Sequence, residues 1–412
     1  MKEWRIVSQK STLFPVCQVV REFPFKGRAS KNSENNLRMK EVYFFTGTSD
    51  LYGANKILLN TMKVFSDYRK ILVVPEDGPL VKRVKKDISD VDVKICPEIP
   101  VMAKKFLSPK GISKFIHQLM TFKKIFKKSY SKDSIIFLNT LAVLPISWFV
   151  NGIRILHIHE ILSNKGFLNR LVNKLAYRSA NDIICVSKAT SYSILEVNKD
   201  PYNKVKTVYN GIDSITTDNN KKDEEIVNIY LIGRIKPEIK GQLYALEAIN
   251  NLPSDSKMRI RVKFVGSPVP GEEHCLNEIN QRITEFDLTD IVSIEPFTNT
   301  ISSLYKDADI CLVPSVRADP FPTTVLEAMS AGIPVIGTDI GGIPEMIVNN
   351  ETGYLIPINE PDHFSELLNN LIINKELRKS MGNRGKEIFE KNFTLAGYNQ
   401  RLRSALPSLF EP

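Results

Sequence analysis

The feature that most restricts the fold is an alternation that runs twice along the chain. From Glu41 onward, short β-branched or aromatic runs occur at Val42–Thr46, Ile71–Val74, Val91–Ile95, Ile135–Leu138, Ile153–Ile158, Ile183–Val186 and Val205–Val208. Helical patterns fall between most of them, near Ala54–Phe65, Pro79–Lys86, Gly111–Lys128, Leu168–Tyr177 and Ala189–Val197. Apolar runs this short and continuous read as strands buried on both faces. Strands that alternate with helices imply a parallel sheet wound on both sides. The polar, charged run Asp213–Glu225 interrupts the pattern as an interdomain connection would. Beyond it the alternation restarts, with strands expected at Ile226–Ile232, Arg261–Val265, Ile291–Ile294, Ile310–Val313 and Val335–Gly337. Helices are expected near Gly241–Asn250, Glu273–Phe286, Thr300–Asp307, Val325–Ala331 and Glu366–Asn374, and Leu377 to about Leu409 is helical with no further strand.

The expectation is therefore an α/β chain of two doubly wound, Rossmann-like domains facing across a cleft. Its parts would be an extension over 1–39, a first domain over 40–212, a linker over 213–225 and a second domain over 226–390. A helical segment over 391–412 would pack back on the first domain. A length of 412 residues agrees, because single cores stop growing near ~250–300 residues. In such sheets ligands sit at the carboxyl ends of the strands.

The net charge of +10 is unevenly spread. Ala103–Lys132 holds nine lysines and no acid, while Ile112, Phe115, Ile116, Leu119, Phe122, Ile125 and Phe126 recur at helical spacing. A basic face beside such a stripe suits acidic headgroups, and it equally suits a packed helix with solvated lysines. Nucleic acid is not an expected partner, since no zinc-finger or glycine-aromatic RNA signature is present. The five cysteines are scattered, which points to a reducing compartment and no structural zinc. The N-terminus lacks an apolar leader, and the longest apolar stretch, Leu141–Val150, is far short of the ~20 residues that span a bilayer. A cytoplasmic location, extending to the inner face of the cell membrane, is expected.

Candidate chemistry lies mainly in the second half. The strand Ile226–Ile232 runs into Gly233-Arg234 and then Lys240-Gly241, after which a helix begins. A loop so placed can aim a guanidinium and an ammonium at a phosphate near helix-start amides. The run Val313–Glu345 carries Asp319 in a loop and Glu327 in the first turns of a helix that starts at Thr323 or Thr324. Paired carboxylates suit vicinal hydroxyls and the amides between them suit phosphate. Thr324-x-x-Glu327 also reads as a capping box that needs no ligand, and Gly341-Gly342 as a tight turn.

These markers in order, Gly-Arg…Lys-Gly at 233–241, two acids at 319 and 327, Glu-Ala-Met with Gly-Ile-Pro-Val at 327–335 and Gly-Gly-Ile-Pro-Glu at 341–345, resemble the donor-binding half of the retaining glycosyltransferases of family four. The resemblance runs from about Ile229 to Phe393 and implies the GT-B fold, with an acceptor-binding first domain and a nucleotide-sugar-binding second domain. It implies that Arg234 and Lys240 grip the donor diphosphate, that Glu327 holds the ribose hydroxyls with Thr323, Thr324 and Val325 beside it, and that Asp319 contacts the transferred sugar. The family usually has glutamate where Asp319 stands, so the reach here is shorter by roughly 1.5 Å. In the first half, Thr46–Ala54 resembles the family's glycine-containing loop over the donor phosphates, reduced to Gly53. His159, at the end of the strand Arg154–Glu160, matches the histidine near the reacting sugar, and alternation puts His157 on the same face. No metal or other cofactor is expected. The implied partners are a nucleoside-diphosphate sugar, a glycan or lipid-linked acceptor, and anionic membrane through residues 103–132. Rival readings are a sugar-nucleotide epimerase or phosphorylase on the same scaffold, and a non-catalytic scaffold that binds nucleotide or membrane.

Overall fold

A computed structural model describes residues 40–102, 108–126, 133–216, 225–298 and 301–410. The extension 1–39, most of the linker and the ends of the lysine-rich run at 103–107 and 127–132 lie outside the described residues.

The first half alternates β1 (Glu41–Thr46), α1 (Gly53–Val64), β2 (Arg69–Val74), α2 (Pro79–Asp87), β3 (Val91–Ile95), α3 (Pro109–Phe126) and β4 (Ile135–Asn139). It continues through a 3-10 helix (Leu141–Trp148), β5 (Ile153–Ile158), α4 (Phe167–Ser179), β6 (Asp182–Cys185), α5 (Lys188–Leu195) and β7 (Val205–Thr207). The second half holds β8 (Val227–Ile232), α6 (Pro237–Lys240), α7 (Gln242–Asn250), α8 (Ser254–Lys257), β9 (Ile260–Val265), α9 (His274–Glu285), β10 (Val292–Glu295) and α10 (Ile301–Asp307). After these come β11 (Ile310–Val313), α11 (Thr323–Ser330), β12 (Val335–Thr338), β13 (Gly353–Ile356), α12 (Pro361–Ile373), α13 (Lys375–Asn392), α14 (Leu395–Ala405) and α15 (Pro407–Phe410).

Every strand pair is parallel, in a seven-stranded sheet ordered β3-β2-β1-β4-β5-β6-β7 and a six-stranded sheet ordered β10-β9-β8-β11-β12-β13. β4 and β11, central in their sheets, are buried along their whole length, because helices cover both faces. On one face of the first sheet Val42, Phe44, Leu72 and Phe137 pack against α1 and α2. On the other, Phe45, Ile136 and Leu138 pack against Phe122 and Phe126 of α3, the 3-10 helix and α4.

The chain's end returns to the first sheet. Tyr398, Leu402, Leu406 and Leu409, on α14 and α15 and the joint between them, join the cluster beneath α1 and α2, each contributing about 1.5–3 kcal/mol by burial. The Tyr398 hydroxyl meets Thr61 Oγ1 at 2.6 Å. Where the segments cross, Leu395 N donates to Ile212 O at 2.8 Å and Ile212 N donates to Phe393 O at 3.1 Å. Only glycine fits at 211, since a Cβ there would lie 2.4 Å from Thr394 O.

Two features depart from the sequence reading. Gly353–Ile356 forms a sixth strand in the second sheet, paired in register with Val335–Thr338. Its apolar run, Tyr354–Ile356, is cut by Pro357 and is too short to stand out. The apolar stretch from Leu141 forms a 3-10 helix that fills the first sheet's core.

Candidate active site between the two sheets

In both sheets the strand order reverses at the first strand, β1 lying between β2 and β4 and β8 between β9 and β11. At such a switch point the loops leaving neighbouring strands turn to opposite faces and open a crevice at the carboxyl edge. The segments singled out in the sequence leave these edges. Asp50, Tyr52 and Gly53 follow β1, Arg234 follows β8, and Asp319 and Thr323–Glu327 follow β11.

Several contacts join the two sheets' loops here. Arg234 Nη2 lies 2.9 Å from Asp50 Oδ2, and its guanidinium sits 4.0 Å from the centroid of the Tyr52 ring. That ring also packs on Phe297, with centroids 5.2 Å apart. Lys56 Nζ, on the first turn of α1, lies 3.0 Å from Glu327 Oε1 on α11. A further carboxylate, Glu345, accepts hydrogen bonds from Lys188 N and Ala189 N, both at 2.8 Å, at the start of α5. The free amides and dipole of a helix N-terminus favour an anion there. Within the second sheet's half, Lys240 Nζ lies 2.5 Å from Asp319 Oδ2.

Glu327 does not serve as a helix cap. The helix starts at Thr323 after an extended Pro322 with no side-chain cap, and the Glu327 carboxylate is held by Lys56 and by the Tyr305 hydroxyl at 3.1 Å from Oε2. Burial first, and then the neighbouring Glu327 charge, push the Tyr305 phenol well above its ordinary range, so it remains a donor. Thr324 O accepts from the same hydroxyl at 3.3 Å. Val325 is fully buried and Thr323 nearly so. The Gly341-Gly342 turn wraps Asp319, with Gly342 N donating to Asp319 O at 2.8 Å and Gly341 held at φ 65. Beside Gly53 and Gly233 a Cβ would meet nothing within 4 Å, so the backbone of both strand-end loops faces open space. That is the condition for a close backbone approach to a phosphate.

His159 stands on the carboxyl edge of the first sheet, just past β5. Its ring lies 4.1 Å from that of His157, and its Nε2 is buried without a hydrogen-bond partner. Burial drives its pKa down to about 3 and that of His157 well below the ordinary value, so both imidazoles are neutral. Glu160 accepts from Leu141 N and His159 N, bracing the ends of β4 and β5. Burial pushes its carboxyl up to about 7 against those bonds. No hydrogen bond or ion pair among the described residues connects His159 with Asp319 or Glu327.

The sequence holds two Asp-x-Asp triplets, at Asp90–Asp92 and Asp307–Asp309. Both sit at the amino ends of strands, away from the crevice. Asp92 pairs with Arg69, and Asp309 Oδ2 accepts from Asn228 N. No group of three potential metal ligands occurs among the described residues.

Sequence reasoning missed Asp50, Lys56 and Tyr305. The first two lie in or just past the glycine-containing loop that was singled out, so their nearness was legible but their partners were not. Tyr305 reaches Glu327 from α10, with no local signal.

Residues 212–388 match the family described as glycosyl transferases group 1. Over 282 residues the chain is 25% identical to spore coat protein SA of Bacillus subtilis, covering 63% of this chain and 73% of that protein. It is 26% identical to the capsular polysaccharide biosynthesis glycosyltransferase CapM of Staphylococcus aureus over 59% of this chain and 65% of that one. Anabaena Alr3699/HepE, solved in complex with UDP and glucose, superposes with a TM-score of 0.76 at 22% identity, covering 90% of this chain and 100% of that one, and so shares the fold. The second half of the chain is thus similar to glycosyl transferases group 1, and the paired parallel sheets give the chain the GT-B fold.

Proposed function

We propose that the chain is a retaining hexosyltransferase that moves a sugar from a nucleoside-diphosphate donor to a glycan or lipid-linked acceptor in the synthesis of a bacterial surface polysaccharide, at the cytoplasmic side of the membrane and without a metal. The observation that carries the reading is that Arg234 and Glu327, from separate loops of the second sheet's half, both meet residues of the β1–α1 segment at one crevice. The names of relatives such as CapM favour a polysaccharide product, and the lysine-rich segment with α3 at its centre would bring the acceptor side toward an anionic, lipid-bearing surface.

In this reading the donor's pyrophosphate takes Arg234 from Asp50 and Lys240 from Asp319, exchanging carboxylates for a group whose charge grows as the bond to the sugar breaks. Fixed cations and helix-start amides at Thr323 and Thr324 then stabilise the departing diphosphate more than the bound donor. Glu327, aimed by Lys56 and Tyr305, accepts from the ribose hydroxyls. Asp319, released by Lys240, and the neutral His159 face the transferred sugar, with the unpartnered Nε2 free to bond a sugar hydroxyl. Gly53 lets the β1 loop close over the phosphates.

The test is release of nucleoside diphosphate from a panel of nucleotide sugars, with and without acceptor. Lys240→Ala and Glu327→Ala are each expected to lower turnover by about 10²–10³-fold, the usual effect of deleting one group that holds developing charge. Normal turnover in both variants would remove the donor-site assignment.

A further inference from the structure

We infer that the groove between β7 and α14, at the edge of the first sheet, is a binding site for a small sugar phosphate, separate from the crevice between the two sheets. The inference does not depend on the sugar-transfer chemistry.

β7 is the outermost strand of its sheet. Asn203, Lys206 and Thr207, on that strand and the turn before it, stand across a groove of about 590 Å³ from Gln400, Arg401 and Ser404 of α14. That volume lies in the range of small-ligand sites. Positions 400, 401 and 404 share one side of the helix, next to the row of Tyr398 and Leu402 that turns into the core. Packing on the sheet accounts for the inner row and leaves the groove row facing water.

The Arg401 guanidinium is the group in this groove that lacks a counter-ion. It is half-buried, its Nε is enclosed without a hydrogen-bond partner, and its Nη2 donates to Tyr209 O at 3.2 Å. Burial lowers its pKa from the ordinary arginine value, and the groups that counter this are the Tyr398 and Tyr209 phenols, not carboxylates. Arg378 supplies the contrast. Its Nη1 donates to Leu371 O at 2.6 Å and to Ile372 O at 2.9 Å, at the end of α12, and Asp309 adds a negative charge nearby. A guanidinium stays ionised and offers five donors. Arg401 therefore brings a cation with most of its donors unused into a groove, and a partly desolvated charge is unfavourable until an anion pairs with it.

The acids close by are engaged elsewhere. Asp182 Oδ1 pairs with Lys206 Nζ at 2.9 Å, and Asp200 accepts from Lys204 N, Val205 N and the Tyr177 hydroxyl. Among the described residues no Asp or Glu lines the groove. The remaining lining selects the occupant. Its apolar part is Val208 and Ala405, too little to hold a hydrophobic ligand. The amides of Asn203 and Gln400 and the hydroxyls of Thr207 and Ser404 both donate and accept. Arg401 suits a phosphate, and these neutral groups suit hydroxyls carried on the same molecule.

The experiment is isothermal titration calorimetry of the full chain with glucose 6-phosphate, galactose 1-phosphate and fructose 6-phosphate, and with inorganic phosphate and glucose for comparison. At least one of the three esters should bind about tenfold or more tightly than inorganic phosphate or glucose, since each comparison lacks one of the two kinds of contact. Ser404→Glu sets a carboxylate one turn from Arg401, and Arg401→Gln removes the charge, so each should weaken the ester by about tenfold or more. Ser404 is exposed. Ser404→Glu should therefore unfold at no lower denaturant concentration than wild type, and Ser404→Gln, equal in size but uncharged, should keep the affinity within about threefold. Lys240→Ala, in the crevice, should leave ester binding unchanged. Binding that is lost in Lys240→Ala but kept in Ser404→Glu would put the anion in the crevice and overturn the proposal. Failure of all three esters to bind overturns it too, as does equal affinity for the esters and inorganic phosphate.

Discussion

A buried histidine, a half-buried one and a half-buried carboxyl at the end of β5 make the stability of the first sheet's half depend on pH. His157 has both ring nitrogens unpartnered and packs edge-on against Phe137, with centroids 5.6 Å apart. It and His159 are neutral in the fold, His159 titrating only near 3, whereas in the unfolded chain each takes a proton below 6.5. Their depressed pKa values supply stability that is whole above pH 6.5 and is lost as pH falls. Glu160 acts oppositely. Its carboxyl is protonated in the fold up to about 7 but ionises above 4.5 once unfolded, so its contribution is whole below 4.5 and is lost as pH rises through 7. Between pH 4.5 and 6.5 unfolding therefore takes up two protons at the histidines and releases one at Glu160, a net uptake of one. Stability should rise with pH by about 1.4 kcal/mol per unit from this cluster, or about 3 kcal/mol across the window. His157→Phe removes one of the two uptakes and balances the remainder, so the cluster's slope should vanish. Stability at neutral pH should change by less than about 1.5 kcal/mol, as for other shape-conserving core exchanges. The assay is denaturant unfolding at several pH values in a Trp4→Phe background, with Trp148 fluorescence as the reporter. All other titrating groups are shared by the two proteins, so only the difference in slope matters. Parallel pH dependences for wild type and His157→Phe would refute the reasoning.

Other expectations follow from the contacts between the sheets and from the C-terminal return. Lys56→Met leaves the nearly buried Glu327 carboxylate with only Tyr305 for support and should cost about 2 kcal/mol in denaturant unfolding, less than a fully buried pair because Lys56 is partly solvated. Adding Glu327→Gln to that variant should recover much of the loss, and a recovery of nothing would show that the pair is not coupled. Glu345→Gln removes an anion from the α5 start and should lower stability by about 1 kcal/mol while reducing its sensitivity to salt, both read from unfolding midpoints. Leu402→Ala, which opens a cavity under α1, should cost about 2–5 kcal/mol and appear in the Trp148 signal although residue 402 lies at the far end of the chain.

How much of this was legible in the sequence depended on how local the cause was. Strands such as Ile135–Asn139 announce themselves because burial on both faces leaves no polar alternation. Gly353–Ile356 does not, because only three apolar residues separate Gly353 from Pro357 and its place at the sheet edge is fixed by partners in Val335–Thr338. Arg234, Lys240, Asp319 and Glu327 could be singled out since each stands at a fixed offset from a strand end or glycine turn. Their partners could not, because Asp50, Lys56 and Tyr305 arrive through tertiary folding, Lys56 from 271 positions away. The period of α3 gave the helix but not its orientation, since two apolar rows satisfy the same 3.6 spacing and only the sheet decides which one turns inward.

The return of α14 and α15 has a consequence for how the chain is made. The cluster beneath α1 is incomplete until Tyr398, Leu402, Leu406 and Leu409 arrive. During synthesis from the amino end, the second module can emerge and fold while the first still lacks its last side chains. At about 5–20 residues per second, the stretch from Gly211 to Leu409 takes on the order of ten to forty seconds to translate. For that interval the nascent first module carries an uncovered apolar groove, so its dependence on chaperones should be greatest just before Leu409 emerges from the ribosome.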